Sequence, residues 1–166
     1  QIQIGTYTPS KALIDGAKAG SVGAVRAGLL AGGSPNARDA QGKPVLAIAA
    51  DKRDNASLAL LLQSGANVNL AGSDGRTALH EAAQRGDPEA VALLLQHGAD
   101  TNMMDREGRT PLSLAAEAGS VPSIQALLDA KADPTRADYS GREPLDWARD
   151  MHRNAAADLL ESREDA

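Results

Sequence analysis

The chain has 166 residues, of which 42% are hydrophobic and 23% charged, and its formal net charge is −5 at pH 7. This length allows one domain or one short repeat array, and the negative charge disfavours nucleic acid and anionic membranes as partners. Cysteine is absent, which excludes disulfides, zinc–thiolate sites and cysteine nucleophiles.

The sequence repeats itself every 33 residues. The stretch GRTALHEAA (75–83) returns as GRTPLSLAA (108–116), and 11 of 28 positions are identical between 75–102 and 108–135. A repeat of this length predicts a stack of similar supersecondary units. Three columns keep the step, namely turn glycines, helix leucines and small residues: Gly42, Gly75, Gly108 and Gly141; Leu13, Leu46, Leu79, Leu112 and Leu145; Gly16, Ala49, Ala82, Ala115 and Ala148.

Each unit is predicted to contain two short helices. In the third unit Thr77 follows the turn glycine and can cap a first helix, in which Leu and Ala recur at helical spacing. Gly86 can end that helix in a left-handed conformation, and PEAVALLLQ (88–96) predicts the second helix. The next unit repeats this order with Thr110, Pro111 at the first helical position, and Gly119.

The end units depart from the pattern, as an array requires where stacking stops. The first has Pro9 at the position of the turn glycine, and the last has Arg149 in place of an Ala and ends short. The second unit has Arg53 where its neighbours have Gly, which predicts an interhelical turn of different shape or under strain.

These residues resemble the ankyrin repeat, whose signature is D-x-x-G-x-T-P-L-H-x-A-A. The copies most similar to it are DREGRTPLSLAA (105–116) and GSDGRTALHEAA (72–83). The resemblance covers nearly the whole chain and implies one all-α domain over 1–166. We expect an ankyrin-repeat solenoid of about five helix–turn–helix units with short hairpin or turn tips, at about 6–38, 39–71, 72–104, 105–137 and 138–166.

No pattern in the sequence predicts catalysis, a metal or a cofactor. The resemblance implies that His80, at the histidine of the TPLH motif, is a hydrogen-bonded structural residue. The stretch HEAAQ (80–84) lacks the second histidine of a zinc-binding helix. In DTNMMDREG (100–108), Met104 stands where a calcium loop needs an oxygen ligand. We therefore expect no enzyme activity and no cofactor.

The resemblance implies a protein-binding module whose contacts lie on the turn tips and the exposed side of the first helices, on the concave side. Lys43, Arg76, Arg109 and Arg142 follow the turn glycines. This column indicates either a basic stripe for an acidic partner surface or ordinary solubilising charge. The expected contact residues are Tyr7, Arg38, Gln41, Lys43, Asp74, Arg76, Arg85, Met104, Arg106, Arg109, Tyr139 and Arg142.

The three aromatic residues are interpreted separately. Tyr7 and Tyr139 are four periods apart, so both are expected on turn tips at opposite ends of the array. Trp147 lies in the first helix of the last unit, where we expect it to pack against the terminal cap rather than a partner.

Small bacterial ankyrin proteins similar to this one are in several cases exported, and some inhibit or shield a partner enzyme. The resemblance thus implies an inhibitor or immunity protein, for example against a cell-wall hydrolase. The alternative is a cytosolic adaptor or a regulator similar to the small kinase inhibitors. The chain begins at Gln1 rather than Met, from which we expect a removed signal peptide and a periplasmic location, with the cytoplasm as the alternative. We expect no membrane insertion, no nucleic acid and a monomer when free.

Overall fold

The computed structural model describes residues 8–164. Within this range the chain forms helices and turns, with one isolated β-bridge between Arg38 and Pro44 and no strand. The all-α prediction is therefore confirmed. The helices are α1 Pro9–Lys18, α2 Val22–Leu30, α3 Val45–Asp51, α4 Asn55–Gln63, α5 Ala78–Gln84, α6 Pro88–Gln96, α7 Pro111–Ala118, α8 Val121–Asp129, α9 Pro144–Asp150 and α10 Asn154–Glu164.

The helices are stacked in two layers. The odd-numbered helices pack on one another in chain order and form the inner layer, and the even-numbered helices do the same in the outer layer. Each inner helix also packs against the outer helix that follows it. The array is therefore a solenoid in which each unit buries its apolar faces against its neighbours.

Leucines and small residues form the core. The leucine column from Leu13 to Leu145 is at most 7% exposed, and the four alanines of the small column are fully buried. In the first unit this column is Gly16, where a Cβ would lie only 2.8 Å from Cβ of Ala24 on the outer helix. Small side chains at this column thus set how closely the two helices of a unit approach.

The predicted helix caps are present. The hydroxyl of Thr77 accepts from the backbone N–H of His80, and that of Thr110 accepts from Ser113, at 3.5 and 3.3 Å. Pro111 is the first residue of α7, and Gly119 ends this helix with φ 74°. These caps satisfy backbone donors and acceptors that the helix itself leaves unpaired.

The first unit has a helix where the other units have a turn tip. Pro9 was expected at the turn position, but it is the first residue of α1, and the hydroxyl of Thr8 caps the helix by accepting from Lys11 N–H at 3.2 Å. Proline at the first helical position and threonine before it both favour a helix start.

A residue in the left-handed conformation follows the first helix and the second helix of the repeat units. At three of these positions the residue is not glycine. Arg53 and His152 have φ 56° and 57° at the position that Gly86 and Gly119 occupy in their units. Lys131, with φ 71°, takes the position of Gly65 and Gly98. The turn at Arg53 therefore has the same shape as the equivalent turns of the other units, and the unfavourable left-handed conformation is that of Arg53 itself.

Replacement of Lys131 by glycine should relieve this strain. We expect Lys131→Gly to raise the free energy of unfolding by about 1 kcal/mol, because an L-residue in the left-handed region costs more than the added chain entropy of glycine. Urea denaturation measures the change.

The matched control is Gly98→Ala, at the same column and with no atom within 4 Å of the new Cβ. It should lower stability by a similar amount. A Lys131→Gly variant no more stable than the parent would contradict the strain.

Candidate partner-binding surface

Four turn tips, at 39–42, 72–75, 105–108 and 138–141, project from the inner layer. In the tip at 105–108 the N–H of Asp105 donates to the carbonyl of Arg109 at 3.0 Å. Its carboxylate accepts from the N–H groups of Glu107 and Arg109, both at 2.9 Å. Asp39 and Asp138 repeat this arrangement. We call the tips and the exposed side of the inner helices the tip face.

Hydrogen bonds join each of these tips to the next. The N–H of Arg106 donates to the carbonyl of Asp74, and the N–H of Tyr139 donates to the carbonyl of Glu107, both at 3.0 Å. Between the first two tips the hydroxyl of Ser73 donates to the carbonyl of Gln41 at 2.8 Å. The tips therefore form a continuous, ordered row.

The four cations that follow the turn glycines do not form a free basic stripe. Each side chain lies against the residue eight positions later, on the inner helix of its own unit. A cation paired in this way has little field left for steering a distant partner. The pairs are Lys43–Asp51 at 3.4 Å, Arg76–Gln84 at 2.6 Å, Arg109–Glu117 at 2.7 Å and Arg142–Asp150 at 2.5 Å.

Glu81 links two of these cations in the middle of the tip face. Its buried carboxylate lies 3.7 Å from Lys43 Nζ and 3.9 Å from Arg76 Nη1. Burial raises the pKa of Glu81, and the two cations oppose the shift. Arg76 also lies 3.4 Å from Asp105. The centre of the tip face is thus a network of paired charges.

Asp51 extends the network to Arg85. Nη2 of Arg85 donates to this carboxylate at 2.6 Å. Burial alone would raise the pKa of Asp51, but the hydrogen bond from Arg85 and the charge of Lys43 outweigh it, so the pKa is lowered. Arg85 is exposed but already paired, which leaves it less available to a partner.

Arg109 and Trp147 lie elsewhere than the sequence predicted. The Arg109 side chain is only 8% exposed, with Cζ 4.1 Å from the centre of the Trp147 ring. Trp147 donates from Nε1 to Asp138 at 2.9 Å, and Cζ of Arg142 lies 5.1 Å from its ring. Trp147 therefore lies on the tip face beside two guanidinium groups, whereas packing against the terminal cap was expected, and the Arg109 side chain is almost fully buried.

The structure places the other predicted contact residues as follows. Met104 is half-buried, and its sulfur accepts from Nη2 of Arg136 at 3.4 Å. Arg38 is exposed, but its Nη1 donates to the carbonyls of Gly42 and Ala71. Tyr7 lies outside the described residues. Half-buried are Lys43 and Arg76; exposed are Gln41, Asp74, Arg106, Tyr139 and Arg142.

A pocket of about 540 Å³ opens at the C-terminal end of the tip face. Tyr139, which is 72% exposed, and Trp147 form its aromatic walls. Trp147 was missed as a site residue. The other residues of its column, Ile48, Glu81 and Leu114, are buried, so the repeat pattern carries no signal for this position. The remaining lining residues are Arg106, Glu107, Asp138, Ser140 and Arg142.

His80 is the structural residue that the resemblance implied. It is fully buried; Thr77 N–H donates to Nδ1 at 3.1 Å, and Nε2 lies 3.0 Å from the carbonyl of Arg109. Since Nδ1 accepts, Nε2 carries the proton and joins the third unit to the fourth. Burial lowers the pKa of His80. Among residues 8–164 no group of three acidic or histidine side chains is arranged to hold a metal ion.

The lowered pKa predicts acid sensitivity. As the pH falls through 6.5, the ordinary value for histidine, the unfolded chain binds a proton at position 80 that the folded chain excludes. The free energy of unfolding should therefore decrease below that pH, and His80→Gln should lose this part of the dependence. Urea denaturation between about pH 5 and 8 measures it. Glu81, whose pKa is raised, is present in both proteins, so its contribution cancels in the comparison. If the free energy of unfolding depended equally on pH in the two proteins, the prediction would be contradicted.

Two equivalent arginines should differ in their contribution to stability. Arg109→Ala should lower the free energy of unfolding by about 2–4 kcal/mol, because it leaves Glu117 unpaired and uncovers Trp147. Arg142→Ala removes a half-exposed pair and should cost less than about 1 kcal/mol. Urea denaturation followed by Trp147 fluorescence compares the free energies of unfolding of the two variants. Equal decreases would show that burial does not distinguish the Arg109–Glu117 pair from the Arg142–Asp150 pair.

The chain was compared with known families and proteins. The family model described as ankyrin repeats (3 copies) matches residues 13–105 and 83–166. A search of curated proteins gave no match. None of the described helices is both long and apolar enough to cross a membrane. Ankyrin repeats are protein–protein interaction modules and generally not enzymes. With its stacked helix pairs and matching repeats, the chain belongs to the ankyrin-repeat family.

Proposed function

We propose that the chain binds a partner enzyme through its tip face and inhibits or shields it by covering its surface. The observation that carries this proposal is the C-terminal pocket, where the two aromatic residues of the described chain come together. Tyr, Trp and Arg dominate the binding energy of protein interfaces, and here all three types line one pocket.

Tyr139 and Arg106 supply the groups with capacity left for a partner. Tyr139 exposes most of its ring, and burying it would remove apolar area from water. The guanidinium of Arg106 has no hydrogen bond or ion pair with any residue in the described range 8–164. We propose that the partner places a carboxylate at Arg106. This single contact replaces the broad acidic surface that a free basic stripe would have required.

The neutral network in the middle of the tip face supports inhibition by covering. Lys43, Arg76 and Glu81 are held by one another, so this surface needs little ordering when a partner docks. A preorganised surface binds with a smaller entropy loss. We propose a partner in the bacterial cell envelope, such as a cell-wall hydrolase, and a periplasmic location, supported by the resemblance to small exported ankyrin proteins.

Site-specific photo-crosslinking in intact cells tests this proposal. A photoreactive amino acid in place of Glu107, which is exposed in the same pocket, should crosslink to one partner, whereas the same group at Gln96, exposed on the outer helix α6, should not. Fractionation of the crosslinked cells gives the compartment. The purified partner should lose activity when the chain is added, and Tyr139→Ala should restore it by weakening binding at least about tenfold.

Leu30→Ala is the matched control, because Leu30 is an 83% exposed apolar residue on the outer helix α2, and it should leave inhibition unchanged. Crosslinking solely from position 96 would place the partner on the outer layer and refute the tip-face proposal. A cytosolic partner whose activity is unaffected would refute the inhibitor role while leaving protein binding intact.

A further inference from the structure

Within residues 8–164, the tip at 138–141 differs from the others in that no further tip rests on it. Along the row, the carbonyl of the residue before each turn glycine accepts a hydrogen bond from the next tip: Gln41 from Ser73, and Glu107 from Tyr139. Asp74 does the same for the tip that follows it. Ser140 is the next member, and no residue in the described range 8–164 donates to its carbonyl.

The turn glycines of the described residues show the same difference independently. A Cβ at Gly108 would lie 2.7 Å from Cδ1 of Tyr139, so the ring of the next tip rests on this glycine. At Gly75 the backbone of Asp105 comes within 3.1 Å of the same position. Gly141 has the same left-handed conformation, with φ 85°, but no described atom lies within 4 Å of where its Cβ would be.

We propose that a segment of the partner protein completes the row as an additional tip. Its backbone N–H donates to the carbonyl of Ser140, and an aromatic side chain rests on Gly141 as Tyr139 rests on Gly108. This inference rests on the proposed function and gives the chemistry of the segment that the tip face binds. Unpaired backbone groups at the end of an ordered row are a template for an incoming extended chain.

The surroundings of Gly141 favour an aromatic side chain. The pocket beside it has the rings of Tyr139 and Trp147 as walls, with Arg142 at its edge. An aromatic ring gains from packing on other rings and on the plane of a guanidinium group. The charges that line the pocket are mixed, since Arg106 and Arg142 lie near Glu107 and Asp138, so shape and ring contacts decide the occupant.

Peptide selection tests the proposal with a defined probe. A phage-displayed library of random linear peptides is selected on the immobilised full chain and counter-selected on Gly141→Ala. Enriched peptides should share an aromatic residue and should change the fluorescence of Trp147, the single tryptophan, on titration. N-methylation of the peptide backbone, one position at a time, should weaken binding about tenfold or more at one N–H next to that aromatic residue.

The matched control for the chain is Gly98→Ala. Gly98 and Gly141 have φ 84° and 85°, and both have open space at the Cβ position, so alanine strains both backbones alike. Only Gly141→Ala should lower peptide affinity, by about tenfold or more, because its methyl group occupies the place of the ring.

Several outcomes of these experiments would overturn the proposal that the partner adds a tip. Failure to enrich peptides, equal affinities for Gly141→Ala and Gly98→Ala, or an N-methyl scan without a sensitive position would overturn the additional tip. Crosslinking from position 107 would then still support the proposed function, so the two failures are distinguishable. Self-association in sedimentation that Gly141→Ala abolishes would identify a second copy, not a different protein, as the occupant and overturn the assignment.

Discussion

Close approach of two helices across small side chains is the constraint on which the structure depends. Ala49, Ala82, Ala115 and Ala148 are fully buried, and Gly16 leaves no room for even one methyl group. Because one small residue recurs every 33 positions, every unit closes in the same geometry, and the leucine faces of neighbouring units meet in register. The tips then project at a regular spacing, which allows one tip to hydrogen-bond with the next.

The same register organises the polar residues. A cation after each turn glycine reaches a polar side chain eight residues later, so charge pairing repeats with the helices. Between units, Glu81 pairs with Lys43 of the preceding unit, and Asp105 pairs with Arg76 of the preceding unit. The consequence is that the centre of the tip face is a network of paired charges, whereas the guanidinium of Arg106 stays outside these pairs among residues 8–164.

The two ends of the array differ for local reasons. At the start, Thr8 and Pro9 nucleate a helix where other units have a tip. Near the other end, Tyr139 stands where the second to fourth units have Ala40, Ser73 and Arg106. Trp147 stands where they have Ile48, Glu81 and Leu114. The carbonyl of Ser140 has no donor among residues 8–164. Among residues 8–164, the aromatic rings that a partner could contact therefore lie near this end of the array.

The amino-acid sequence alone determined the repeat, the all-α fold, the caps at Thr77 and Thr110 and the structural role of His80. The first three follow from local rules of helix capping and from the period, which fix backbone geometry wherever the same residues recur. The role of His80 was implied by the resemblance to the ankyrin motif. The left-handed conformations of Lys131 and His152 could also have been read from their glycine columns.

Only the tertiary structure decided which charges are free. A long side chain can reach several acceptors that neighbouring units bring near it, and burial determines which of these pairs is the most stable. Arg109 and Arg142 occupy the same column, yet one is buried beneath Trp147 and the other is half-exposed. The position of the tryptophan on the tip face depends on Asp138 and on both arginines together, and no local pattern encodes that convergence.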